Sequence, residues 1–129
     1  MTPLTREWLR KAEADRRTAR REFDAKPPSY DAVCFHCQQA GEKYFKGLLQ
    51  ERGTVIPKTH DLERLVDLLL PTDPPLRPLR PVGHRLTRYA VDFRYPGEWA
   101  NRRQARSALT AADRIRAEVR RRLGLRPRP

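Results

Sequence analysis

Gln38 and Glu42 stand one helical turn apart in a stretch whose same-side neighbours are Phe35, Phe45 and Leu49. Polar groups in such a setting are at least partly buried and need partners. They either fix register against a neighbouring helix or a dimer mate, or help shape a nucleotide pocket. A second series, His36, Gln39, Lys43, Lys46 and Gln50, repeats at the same step and is polar throughout, so it is expected to face water or a ligand. Lys43 and Lys46 either hold a phosphate between two ammonium groups or are solvated surface lysines. His60 and Asp61 precede an apolar helical pattern, where free backbone amides can receive an anion, although Asp61 also suits the first turn itself. His60 alone fits capping or packing equally well. Arg94 and Tyr95 stand directly before Pro96-Gly97. There Arg94 either grips a phosphate bidentately or caps a helix end, and Tyr95 either stacks on a base or fills the core. Of these candidates Arg94 is the first choice for an anion site.

Cys34 and Cys37 are spaced like half of a zinc or redox site, but no second cysteine pair exists, and His36 points about 100° away from its helical neighbours. Reduced, buried thiols are expected, with neither metal nor cofactor. No catalytic set emerges from these residues.

The elements that position them follow from the apolar spacing. Leu4, Trp8, Ala12, Ala19 and Phe23 define an amphipathic first helix, started by Thr2-Pro3 and ended before Pro27-Pro28. A second helix runs from about Tyr30 to Glu51, with Ser29 as N-cap and Gly53 past its end. Its two apolar stripes, Val33 to Leu48 and Phe35 to Leu49, put it at the centre of a bundle. Leu62, Leu65, Val66 and Leu69 mark a third helix, capped by Thr59 or His60. Five prolines between residues 71 and 81 predict an internal loop. Leu86, Tyr89, Ala90 and Phe93 give a short fourth helix, and a fifth runs from about Trp99 to Leu123 before a frayed tail at 124–129.

No strand alternation and no internal repeat appears. The expectation is one all-α domain over residues 1–129, an antiparallel up-and-down bundle of four main helices plus one shorter helix. A chain of 129 residues leaves little room for a second core. The 28 basic residues, 23 of them arginine, against 16 acidic ones give a net charge of +12, which favours anionic partners. From Asn101 onward ten arginines face only Asp113 and Glu118, which makes nucleic acid an obvious partner class. No apolar run is long enough for a membrane span and the N-terminus lacks a signal-peptide core, so a cytoplasmic protein is expected.

Three segments together resemble the HEPN domain, named for its occurrence in higher eukaryotes and prokaryotes and for nucleotide binding. They are the run Phe35-His36-Cys37-Gln38-Gln39-Ala40-Gly41-Glu42-Lys43-Tyr44-Phe45-Lys46-Gly47-Leu48-Leu49, then Thr59-His60-Asp61-Leu62 with Leu65, then Arg94-Tyr95-Pro96. Trp8-Leu9 with Ala12 and Asp15 extends the likeness into the first helix. The resemblance implies an antiparallel helical bundle, association as a homodimer, and action beside a separate minimal nucleotidyltransferase in a toxin–antitoxin-like pair. It points to a nucleotide or RNA phosphate as ligand and to Lys43, Lys46, His60, Arg94 and Tyr95 as the residues that meet it, with Gln38, Gln39, Glu42 and Asp61 around them. Other members of the family are metal-independent ribonucleases that use an Arg and a His four to six residues apart. In this chain the literal match is Arg77 to His84, which spans Pro78 and Pro81, and Arg94 is followed by no histidine. A ribonuclease or RNA-binding toxin is therefore the alternative function, and a helical interaction module without ligand the second alternative.

Overall fold

The computed structural model describes residues 1–127. Five α-helices form an up-and-down bundle: α1 Pro3–Asp24, α2 Tyr30–Glu51, α3 Leu62–Leu69, α4 Leu79–Asp92 and α5 Arg102–Arg122. No strand occurs among the described residues, and none of their helices is long and apolar enough to cross a membrane.

Local chemistry sets most of the boundaries. The Thr2 hydroxyl accepts from the Thr5 amide at 3.1 Å with Pro3 at the first helical position, and the Ser29 hydroxyl accepts from the Ala32 amide at 3.3 Å. At the end of α2, Gly53 adopts a left-handed φ of 69°, so that Thr54 donates to the Leu49 carbonyl and Gly53 to that of Gln50. Gly124 repeats the device at the end of α5: with φ at 71°, Leu125 donates to the Arg120 carbonyl. The described part of the predicted tail, 124–127, is thus folded back on α5, tied also by the Arg120 guanidinium to the Arg126 carbonyl at 2.8 Å. Residues 128 and 129 of that tail lie outside the described residues.

Three expectations need correction. The proline-rich segment is a loop only in part: Pro74–Leu76 form a 3₁₀ turn and α4 begins at Leu79, with Pro81 in its first turn. The first turn has no intrahelical acceptor for its amides, so a proline there costs little. The shortest helix is therefore α3, eight residues, rather than α4, which has fourteen. Neither Thr59 nor His60 caps α3. Asp61 does, its carboxylate accepting from the Glu63 amide at 3.0 Å, while the Thr59 hydroxyl accepts from the Asp61 amide.

α2 lies at the centre and touches all four other helices. Its Val33, Cys37, Ala40, Tyr44, Phe45, Leu48 and Leu49 are buried. α3 is too short to be stable alone. It is held by Leu62, Leu65, Val66 and Leu69, all buried, each contributing roughly 1.5–3 kcal/mol on removal from water. Small residues let the helices approach. A Cβ on Gly41 would meet Ile115, Leu86 and Leu62 at 3.2–3.4 Å, and one on Gly83 would lie 2.9 Å from the Leu62 Cβ.

Candidate functional site

α2 and α4 present facing rows. Phe35, Gln38 and Gln39 on α2 and Thr87, Ala90 and Val91 on α4 follow the i, i+3, i+4 step and leave between them a cleft of about 400 Å³. Arg94, just past the end of α4, and His60, from the segment leading into α3, complete its lining. The Thr87 hydroxyl accepts from the Leu62 amide at 3.1 Å, which docks the start of α3 onto this wall.

Beneath the cleft the buried Glu42 carboxylate organises the polar side chains. Its Oε1 accepts from His60 Nδ1 at 2.8 Å and from Gln38 Nε2 at 3.3 Å, and its Oε2 accepts from Lys46 Nζ at 2.9 Å. Gln38 also donates to the His60 carbonyl at 2.8 Å and accepts from Gln39 Nε2 at 2.8 Å. Burying a carboxylate costs several kcal/mol unless donors replace its water, and three do so here. The pattern satisfies Glu42 and fixes the His60 ring: Nδ1 is committed to the carboxylate, which leaves Nε2 for whatever enters the cleft.

The structure divides the predicted site residues. Gln38, Gln39, His60 and Arg94 line the cleft. Lys43, Lys46, Glu42, Asp61 and Tyr95 do not. The polar stripe of α2 does not face open water, because α1 packs along it: Asp15 accepts from His36 Nδ1 at 2.9 Å and pairs with Lys43 as well. Lys46 is buried on Glu42, with its ammonium 5.8 Å from the centre of the Trp8 ring. Asp61 spends its carboxylate on the Glu63 amide at the start of α3. Tyr95 is exposed, so core filling is not its role. Arg94 neither caps α4 with its side chain nor meets a carboxylate; among the described residues its guanidinium has no hydrogen-bond or ion-pair partner.

Arg77 and His84 do not meet in the cleft. His84 Nδ1 is held by Glu63 at 2.6 Å, beside Arg80 on the same carboxylate. Cys34 and Cys37 are free, buried thiols; burial pushes the Cys34 thiol up to about 12 and raises that of Cys37 as well. Thr87 and Val91 carry no motif in the sequence. Their only signal is that they share a face with Arg94 at helical spacing.

The chain matches the HEPN domain family over residues 5–122. It belongs to that family. Two solved structures share the HEPN fold seen here. The crystal structure of TT1696 from Thermus thermophilus is 29% identical with a TM-score of 0.76, covering 93% of this chain and 98% of that one. ST0689, described as an archaeal HEPN homologue, is 27% identical with a TM-score of 0.74, covering 92% of this chain and 97% of that one. No curated protein matches the sequence significantly. In this HEPN domain the segments that carried the resemblance have separate duties. Gln38 and Thr59-His60-Asp61 build one wall of the cleft and the start of α3, and Arg94 stands at its rim. Glu42 holds His60 beneath the cleft, whereas the Lys43-Tyr44-Phe45-Lys46 run ties α2 to α1 and to the core, with Tyr44 donating to Glu13 at 2.8 Å.

Proposed function

We propose that this HEPN protein binds the phosphate of a nucleotide or nucleic acid in the α2–α4 cleft, and that it acts as a homodimer with a separate minimal nucleotidyltransferase in a toxin–antitoxin-like pair. The observation that carries the binding site is Arg94. Lys43 and Lys46 are neutralised by Asp15 and Glu42, whereas Arg94 offers a full guanidinium fork at the rim of a cleft that also holds His60 and two glutamine amides. Phe35, Ala90 and Val91 give the same cleft an apolar side on which a base can lie. The partner rests on the family, whose small stand-alone members work beside nucleotidyltransferases.

Calorimetric titration with ATP tests the site. Arg94→Ala is expected to weaken binding by about 1.5–3 kcal/mol, the range for a hydrogen bond to a charged group, with the melting temperature unchanged. Wild-type affinity is expected to fall as salt rises. Unchanged ATP affinity in a destabilised Arg94→Ala protein would remove Arg94 from the ligand. The pairing is tested by expressing the protein with and without the product of the adjacent gene: growth arrest relieved by a nucleotidyltransferase supports it, and indifference to that product refutes it.

A further inference from the structure

A groove of about 570 Å³, lined by none of the cleft residues, lies between α1 and the C-terminal end of α5. Arg6, Arg10 and Arg17 from α1 and Arg120 from α5 line it, with Met1, Leu9 and Leu125 as its apolar part. It continues, through the shared Arg120 and Leu125, into a hollow of about 650 Å³ along α5. The carboxylates in both are already engaged: Glu13 accepts from Arg116 and Tyr44, Asp113 from Arg16, and Glu118 from Arg121 and Arg122. Arg6, Arg10 and Arg17 are exposed, and their guanidinium groups have no hydrogen-bond or ion-pair partner among the described residues. Positive charge is thus left over where negative charge has been spent inside the fold.

We propose that this groove binds the phosphate backbone of a nucleic-acid strand. At 1.5 Å of rise per residue, Arg6 and Arg10 are about 6 Å apart along α1 and Arg10 and Arg17 about 10 Å, so each fork can meet a different phosphate of one strand. A guanidinium takes two oxygens of one phosphate, which suits a phosphodiester chain. No aromatic side chain lines either hollow, so the contact reads charge and not bases. An acidic protein surface is the weaker fit, because stable protein interfaces centre on buried aromatic or arginine anchors set in apolar pockets, and the apolar part of this groove is Met1, Leu9 and Leu125, with no aromatic side chain. The site is independent of Arg94, and the two can fail separately.

Fluorescence anisotropy with a labelled 20-nucleotide oligo(U) RNA, at 50 and 200 mM salt, decides the matter. The variant Arg6→Ala/Arg10→Ala/Arg17→Ala should bind at least about ten-fold more weakly at 50 mM salt and lower the slope of log affinity against log salt by about 2. Arg64→Ala/Arg85→Ala/Arg103→Ala removes the same charge from exposed positions elsewhere and should change affinity by less than about three-fold. In an Arg94→Ala background, which removes the guanidinium of the α2–α4 cleft, the groove triple variant should still produce its own full further loss of RNA affinity. The single reversal Arg10→Glu, at an exposed position, should reproduce the loss if the triple variant melts early. Equal losses in both triple variants would reduce the effect to net charge. No RNA binding at 50 mM salt, or binding of polyglutamate in its place, would overturn the proposal, as would loss of RNA affinity only in Arg94→Ala.

Discussion

His60 Nδ1 and Glu42 Oε1 lie 2.8 Å apart, although the imidazole is 82% exposed and the carboxylate only 6%. The bond joins the rim of the cleft to the polar interior of the bundle. Through Glu42 it reaches Lys46, and through Gln38 it returns to the His60 backbone, so the segment leading into α3 is held at both side chain and main chain. Ligand contacts at His60 therefore bear on a group fixed by the core rather than on a loose loop.

The Glu42–Lys46 pair should behave as a unit. Glu42→Leu strands a buried ammonium and is expected to cost about 3–5 kcal/mol in urea denaturation, and Lys46→Leu less, because the carboxylate keeps His60 and Gln38 as donors. The double variant Glu42→Leu/Lys46→Leu should lose much less than the sum of the two, because neither charge is then left unpaired. Additive losses would show that the two charges are not coupled.

The i, i+4 spacing of this pair is plain in the sequence, yet such pairs are ordinarily surface features. The period of a helix reveals which residues share a face but not what covers that face. Asp15, twenty-one residues before His36 and twenty-eight before Lys43, turns a stripe that looks solvent-facing into an interhelical seam. Local signals fared better: Thr2-Pro3, Ser29 and Gly53 mark the ends of α1 and α2 because capping chemistry acts over three or four residues. Pro81 misleads because the same residue breaks a helix interior and is tolerated in a first turn, and only the preceding Leu79, packed in the core, decides between them. Within the cleft, Gln38, His60 and Arg94 are legible as polar residues in apolar or terminal positions, whereas Thr87 and Val91 become visible only once α4 lies against α2.

Gly83 sets the approach of α4 to α3. Alanine there would bring a Cβ to 2.9 Å from the Leu62 Cβ and 3.3 Å from its carbonyl carbon, and backbone cannot yield as a side-chain tip can. Overpacking of about 1–3 kcal/mol outweighs a helix-propensity gain of at most about 1 kcal/mol, so Gly83→Ala should lower the melting temperature by a few degrees. Gly41→Ala, which meets only the ends of Ile115, Leu86 and Leu62, should cost less. The opposite order would mean that α3, not those side chains, is free to shift.

Acid should loosen two long-range ties. Burial raises the carboxyls of Glu13 and Asp73, but hydrogen bonds from Arg116 and Tyr44 to the first, and from Arg122 and Arg52 to the second, outweigh it and hold both below their ordinary values of 4.5 and 3.8. A carboxyl depressed in the folded state contributes stability that is present above its ordinary value and is lost as pH falls through that value toward the folded one. Denaturation midpoints should therefore be flat from pH 7 to about 5 and fall below it, and Asp73→Asn should flatten part of that decline. An unchanged acid limb in Asp73→Asn would mean that the Arg52–Asp73–Arg122 cluster adds nothing to it.

We assign the proposed homodimer to the exposed edge of α2 at Phe35. The second apolar stripe of α2 is covered by its own chain at Phe45 and Leu49, but Phe35 remains 46% exposed, with Val91 and Tyr95 also open to solvent. Association that buries these residues should give a mass near twice 15.1 kDa by light scattering at micromolar concentration, and Phe35→Glu, by placing a charge in the contact, should return it to about 15.1 kDa. A wild-type mass near 15.1 kDa would refute the dimer. Phe35 and Val91 also line the α2–α4 cleft, so a second copy seated there would form part of the ligand's surroundings. Wild-type protein diluted until it is monomeric should then bind ATP more weakly than the dimer even though Phe35 and Arg94 are both intact, whereas equal ATP affinity in monomer and dimer would make each cleft self-sufficient.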